Sequence, residues 1–133
     1  MRVLLVDDEP LMLEYSASVL TSCGFEVQQE TNGDDALECY LELGPYDLVL
    51  TDYIHPGMDG IELAAAIRRK NAKQAIALVT AATFVKPLPA AVKDIPVLEK
   101  PWQRQELLEL VRSTLESCTH KAGKHPPPSP RKH

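Results

Sequence analysis

A chain of 133 residues, 44% of them hydrophobic, can bury one proper core without disulfides or a structural metal, and a single domain is expected. The formal charge of -5 is uneven: residues 1 to 119 hold ten Lys and Arg against nineteen Asp and Glu, a balance of -9, while residues 120 to 133 hold four basic residues and no acid. An acidic domain speaks against direct contact with nucleic acid, whose phosphates are gripped by Lys and Arg.

Residues 2 to 6 (RVLLV) form a short apolar run ended by Asp7, Asp8 and Glu9, the pattern of a fully buried parallel strand. Pro10 then opens a helix in which Leu11, Tyr15, Val19 and Ser22 share a face, with Gly24 placed to terminate it. Residues 25 to 29 (FEVQQ) read as a second, more polar strand. Asn32 and Gly33 turn the chain into a second helix, DDALECYLEL, whose end is marked by Gly44 and Pro45. Leu48, Val49 and Leu50 make a third buried strand that stops at a single carboxylate, Asp52, before a loop containing PGMDG. DGIELAAAIRRKN is a third helix, rich in Ala and Leu, with Arg68, Arg69 and Lys70 at the end where the helix dipole favours positive charge. QAIALVT and IPVLE supply strands four and five, and the last helix runs from Trp102 to Cys118 with Leu107, Val111, Leu115 and Cys118 on one stripe.

Strand and helix alternate throughout, which predicts an α/β fold with a doubly wound parallel sheet covered on both faces. One connection breaks the rule. Between strands four and five, Pro87 and Pro89 cannot both sit in a helix interior, so this unit carries at most a short helix starting near Pro89. The basic, Pro-rich segment 120–133 has no apolar periodicity and reads as a disordered or extended tail beside a domain of residues 1–119. Its PxxP spacing at Pro127 and Pro130 fits a proline-binding groove, but a solvated tail is the simpler reading. Cys23, Cys39 and Cys118 are odd in number, widely spaced and free of any CxxC pair, so they read as small apolar residues in a reducing compartment. With no signal sequence and no span of about 18 apolar residues, a cytoplasmic protein without membrane contact is expected.

The unusual residues fall at the carboxyl ends of the strands, where open parallel sheets bind their ligands. Asp7 and Asp8 end strand one, Asp52 ends strand three, Thr80 ends strand four, and Lys100 follows strand five. Three carboxylates within about 4–6 Å repel by a few kcal/mol per pair at an effective dielectric of about 20, so they need a cation. An all-oxygen set suits magnesium and argues against zinc.

VDDE at residues 6 to 9, Asp52 followed by PGMDG at 56 to 60, Thr80 followed by Ala, and Lys100 in a KP dipeptide closely resemble the receiver domain of bacterial two-component response regulators. The resemblance covers residues 1 to 118 and implies a five-stranded, flavodoxin-like sheet in the order 2-1-3-4-5. It implies that Asp52 takes a phosphoryl group from a sensor histidine kinase or phosphotransfer protein, and that the domain signals by a conformational switch rather than as an enzyme. It further implies that magnesium is held by Asp7, Asp8, Asp52 and the backbone carbonyl of Ile54, with Asp8 the closer ligand. Lys100 would pair first with Asp52 and then with the phosphoryl group, and Thr80 would donate its hydroxyl to that group. A homodimer is compatible with the same resemblance.

Some positions depart from the pattern. The aromatic residue that receivers commonly carry three positions before the lysine is Val97 here, and the Pro-broken fourth helix alters the same face, so the family's usual switch is in doubt. In the family it resembles, the positions held here by Ile54 and Ala82 influence dephosphorylation, and an apolar Ile54 over the acyl phosphate is expected to slow attack by water. His55 and Tyr53 read as rim residues without a catalytic task, and Gly57 and Gly60 as turn formers. Three other functions compete: a phosphate-independent pseudo-receiver that docks on partners, an aspartate-nucleophile phosphohydrolase, and a flavin-binding domain. The first would usually have lost one of Asp8, Asp52 or Lys100. The second wants D-x-D after strand one, where this chain has adjacent Asp7 and Asp8. The third must bind phosphate on an acidic rim without metal.

Overall fold

The computed structural model describes residues 1–53, 57–80, 88–100 and 102–122, with side chains through Glu116. Five parallel strands, β1 (Arg2–Val6), β2 (Glu26–Glu30), β3 (Leu48–Asp52), β4 (Ile76–Thr80) and β5 (Val97–Glu99), lie in the order β2-β1-β3-β4-β5. Four helices connect and flank them: α1 (Pro10–Ser22), α2 (Gly33–Leu43), α3 (Gly60–Lys70) and α4 (Arg104–Ala122). Between β4 and β5 the described residues hold only a three-residue 3-10 turn, Ala90–Val92, entered from Pro89. The flavodoxin-like order is therefore present, and the described part of the fourth connection holds no α-helix.

Alternation along the strands creates two cores. Leu4 and Val6 of β1, Val49 of β3, and Ile76 and Leu78 of β4 pack with Ala36, Cys39 and Tyr40 of α2 and with Ile61, Leu63, Ala64 and Ile67 of α3. Their neighbours Val3, Leu5, Leu48, Leu50, Ala77 and Val79 point the other way, onto Leu13, Ala17 and Leu20 of α1 and Leu107, Leu110 and Val111 of α4. Each such Leu, Ile or Val contributes about 1.5–3 kcal/mol by leaving water. The three central strands are buried on both faces, which is why they read as unbroken apolar runs.

The helices start where their first residues dictate. Asn32 caps α2 by accepting from the Asp35 N–H at 2.8 Å. Asp59 and Glu62 form a reciprocal capping box at α3, with bonds of 2.8 and 2.9 Å. Gly24, at φ +94°, turns the chain out of α1 through a left-handed conformation.

The structure corrects the predicted face of α1. Leu11 and Tyr15 are 80% and 46% exposed, and the buried residues are Leu13, Ser16, Ala17, Val19 and Leu20. The helix settles on the register that puts Leu13 and Leu20 in the core, and Tyr15 stacks instead on Trp102 with ring centroids 5.5 Å apart. Several bounds also move: β2 and β4 begin at Glu26 and Ile76 rather than at Phe25 and Gln74, Ile95 is buried in the α2/α3 core ahead of β5 rather than within it, and α4 runs from Arg104 to Ala122 rather than from Trp102 to Cys118.

Two polar hubs brace the amino-terminal side of the sheet. Gln74, 3% exposed, accepts from the Tyr40 hydroxyl (2.7 Å) and the Tyr46 N–H (3.2 Å), and donates to the carbonyls of Tyr46 (2.7 Å) and Ala75 (3.0 Å). Arg68 donates to the carbonyls of Gln74 (2.8 Å) and Ala91 (3.0 Å) and grips both oxygens of Asp94 (2.9 and 3.2 Å), tying α3 to the 3-10 turn. Among the described residues, no helix is long and apolar enough to cross a membrane.

Candidate functional site

Strand register assembles the site. Val6 pairs with Thr51, so the next residue on each strand, Asp7 and Asp52, emerges at the same level of the sheet. Asp52 pairs with Val79, which brings the end of β4 and Thr80 alongside, and Thr80 in turn pairs with Glu99. The Lys100 N–H donates to the Thr80 carbonyl at 2.7 Å, which anchors the lysine at the rim. Its ammonium reaches across the strand ends to Asp7 Oδ2 at 3.3 Å and Asp52 Oδ2 at 3.5 Å. Carboxylate oxygens of Asp7, Asp8 and Asp52 all lie within 4.8 Å of one another, Asp7 and Asp52 buried and Asp8 exposed.

Each acid is held by the backbone. The Glu9 N–H donates to Asp7 Oδ1 at 2.9 Å, and the Tyr53 N–H donates to Asp52 Oδ1 at 2.8 Å. Gly60 is required beneath Asp52: its N–H bonds the Tyr53 carbonyl at 2.8 Å, and a Cβ there would collide with the Asp52 carbonyl and the Leu78 side chain. Burial pushes the Asp52 carboxyl up to about 6 and the charge of Asp7 adds to the rise, against the opposing pull of Lys100 and the Tyr53 N–H. For Lys100, burial works to lower the value, but Asp52, Asp7 and Glu9 outweigh it and hold the ammonium above its ordinary range. A buried carboxylate with an elevated pKa beside two other acids is a group waiting for positive charge.

The family model for the response regulator receiver domain matches residues 3–112. The chain belongs to the response regulator receiver domain family. The receiver is similar to the receiver protein CpdR of Brucella abortus, 34% identical over 116 residues that span 86% of this chain and 96% of the relative. It is also similar to the chemotaxis protein CheY of Bacillus subtilis, 36% identical over 119 residues, with 86% of this chain and 97% of the relative covered. Among solved structures it resembles the response regulator TrrA of Thermotoga maritima in complex with Mg2+-BeF, with a TM-score of 0.76 and 33% identity over 85% of this chain and 97% of that one.

The receiver's five named strand-end residues stand as follows. Asp7, Asp8, Asp52 and Lys100 meet in one cluster, and Thr80 is buried (1% exposed) at the end of β4 beside it. Ile54, His55 and Ala82 lie outside the described residues. Gly57, at φ +76°, is a turn former as expected, and Val97 is 44% exposed on β5. The donor set fits magnesium: three carboxylates, two held in place by backbone N–H groups, with one exposed member open to water. Sequence reasoning missed Glu9, whose carboxylate is the third on Lys100 at 3.7 Å. The signal was present in the VDDE run, but its partner lies at the far end of the chain.

Proposed function

We propose that this receiver accepts a phosphoryl group on Asp52 from a phosphohistidine of a sensor histidine kinase or phosphotransfer protein, with magnesium held by Asp7, Asp8, Asp52 and the backbone carbonyl of Ile54. The observation that carries the reading is the position of the Lys100 ammonium, 3.3 Å from Asp7 and 3.5 Å from Asp52 at the open end of the sheet. Phosphoryl transfer asks for an in-line nucleophile and neutralised equatorial oxygens. An Asp52 oxygen supplies the nucleophile; it bonds to phosphorus as the phosphorus–nitrogen bond breaks and the imidazole leaves with the electron pair. When bound, the metal supplies positive charge to the transferring oxygens. Lys100, released from carboxylates, turns to a phosphoryl oxygen, and the Thr80 hydroxyl donates to that oxygen.

The product replaces one carboxylate charge with about -1.5 to -2 charges on phosphate. Coupling of about 1–3 kcal/mol between that change and two packings of the domain is enough for a signal. The exposed Val97 supports an output that does not depend on an aromatic side chain swinging into the site. The test is mass spectrometry after incubation with magnesium and acetyl phosphate, and then with a phosphorylated histidine kinase. One phosphoryl group should appear on the parent and none on Asp52→Ala. Absence of the adduct with every donor would return the domain to the phosphate-independent docking reading.

A further inference from the structure

Glu9 stands at the N-cap of α1, yet its side chain makes no capping hydrogen bond. Its carboxylate, 63% exposed, instead lies 3.7 Å from Lys100 Nζ, on the solvent side of an ammonium whose other partners, Asp7 and Asp52, are buried. Formal charges at the site then sum simply. Asp7, Asp8 and Asp52 contribute three negative charges, Lys100 one positive charge, and a divalent cation would cancel the remaining two. Glu9 is the surplus: it turns a balanced mouth into an anionic one.

We propose that Glu9 is a specificity-determining residue, a charge filter that disfavours free phosphodonors in proportion to their negative charge. The inference rests on the phosphoacceptor reading above. Glu9 acts against an anionic donor by repelling it at the entrance, where its exposed carboxylate lies 3.7 Å from Lys100 Nζ. Coulomb energy is linear in charge, so the factor Glu9 imposes on a dianion is the square of the factor it imposes on a monoanion. At a separation of about 6 Å in water, attenuated over a Debye length of about 8 Å, one donor charge is worth about 1.7-fold in rate and two are worth about threefold.

The experiment follows phosphoryl incorporation into the full chain with magnesium at pH 7, using acetyl phosphate as the dianion and phosphoramidate as the monoanion. Parent, Glu9→Gln and Glu9→Asp are compared at low salt and at high salt. Glu9→Gln should accelerate labelling by acetyl phosphate about threefold and by phosphoramidate under twofold, the difference should fade at about 1 M salt where screening shortens to about 3 Å, and Glu9→Asp should keep the parental ratio. An equal change for both donors, no change, or slower labelling by both would overturn the filter, because a structural role or a role in anchoring Lys100 does not count donor charges. Failure of the parent to label with either donor overturns the filter, and failure with a phosphorylated histidine kinase as well overturns the phosphoacceptor reading itself.

Discussion

Asp52→Asn should make the metal-free domain more stable, and the gain should depend on pH. The Asp52 carboxyl ionises at about 6 in the folded protein against 3.8 in the ordinary state. A carboxyl whose folded value is raised binds its proton more tightly when folded, so folding is favoured less as the proton is lost. Well below 3.8 both states are protonated and Asp52 costs nothing; from there to about 6 the cost grows, and above 6 it is complete. A difference of about two pKa units at about 1.4 kcal/mol each gives about 3 kcal/mol, with no large screening discount because Asp52 is only 8% exposed. For a domain of this size that is a rise in Tm of about 10 °C. Asn keeps an oxygen for the Tyr53 N–H, so the backbone anchor at 2.8 Å survives. Thermal melts in EDTA at pH 4 and pH 7.5 would read the effect: melting points within about 2 °C at pH 4 and a clearly more stable variant at pH 7.5. Magnesium bound as proposed would narrow the gap by stabilising the folded parent and offsetting the same charge. A variant no more stable than the parent at pH 7.5, or one equally stabilised at pH 4, would refute the argument that burial and Asp7 strain this acid.

Lys100→Met should raise the Asp52 value further, read by NMR titration of the carboxyl, because the opposing positive charge 3.5 Å away is lost. Gly60→Ala should cost about 1–3 kcal/mol in urea unfolding, since the new methyl meets the Asp52 carbonyl and Leu78 in a packed strand end. Gln74→Leu should cost about 2–4 kcal/mol in the same assay by leaving the Tyr46 N–H and carbonyl without their partners. Arg68→Met should cost about 2 kcal/mol, less than a fully buried pair, because Asp94 is 43% exposed and regains water.

The strands were legible because Leu4, Leu50 and Leu78 sit in unbroken apolar runs that a doubly covered sheet requires. The carboxyl-end acids were legible because Asp7 and Asp52 are polar residues placed where a buried strand would otherwise continue. The face of α1 was not, because LMLEYSASVL offers two apolar registers, and the buried one contains Ser16 and Ala17, which carry little hydrophobic signal. Gln74 read as the start of a strand; its role as a hub depends on Tyr40 and Tyr46, which no local pattern connects to it. Glu9 read as one more acid in a run, and only the fold brings Lys100 to it.

The outermost strands also set how the receiver meets other molecules. β5 is three residues long, follows Pro96 and ends on the exposed Glu99, while β2 carries Glu26, Gln28, Gln29 and Glu30 on the opposite edge. Short, charged borders discourage another chain from hydrogen-bonding on and lengthening the sheet. The sheet is thereby protected against edge-to-edge growth into a fibre, each border offering a neighbouring strand a poor template.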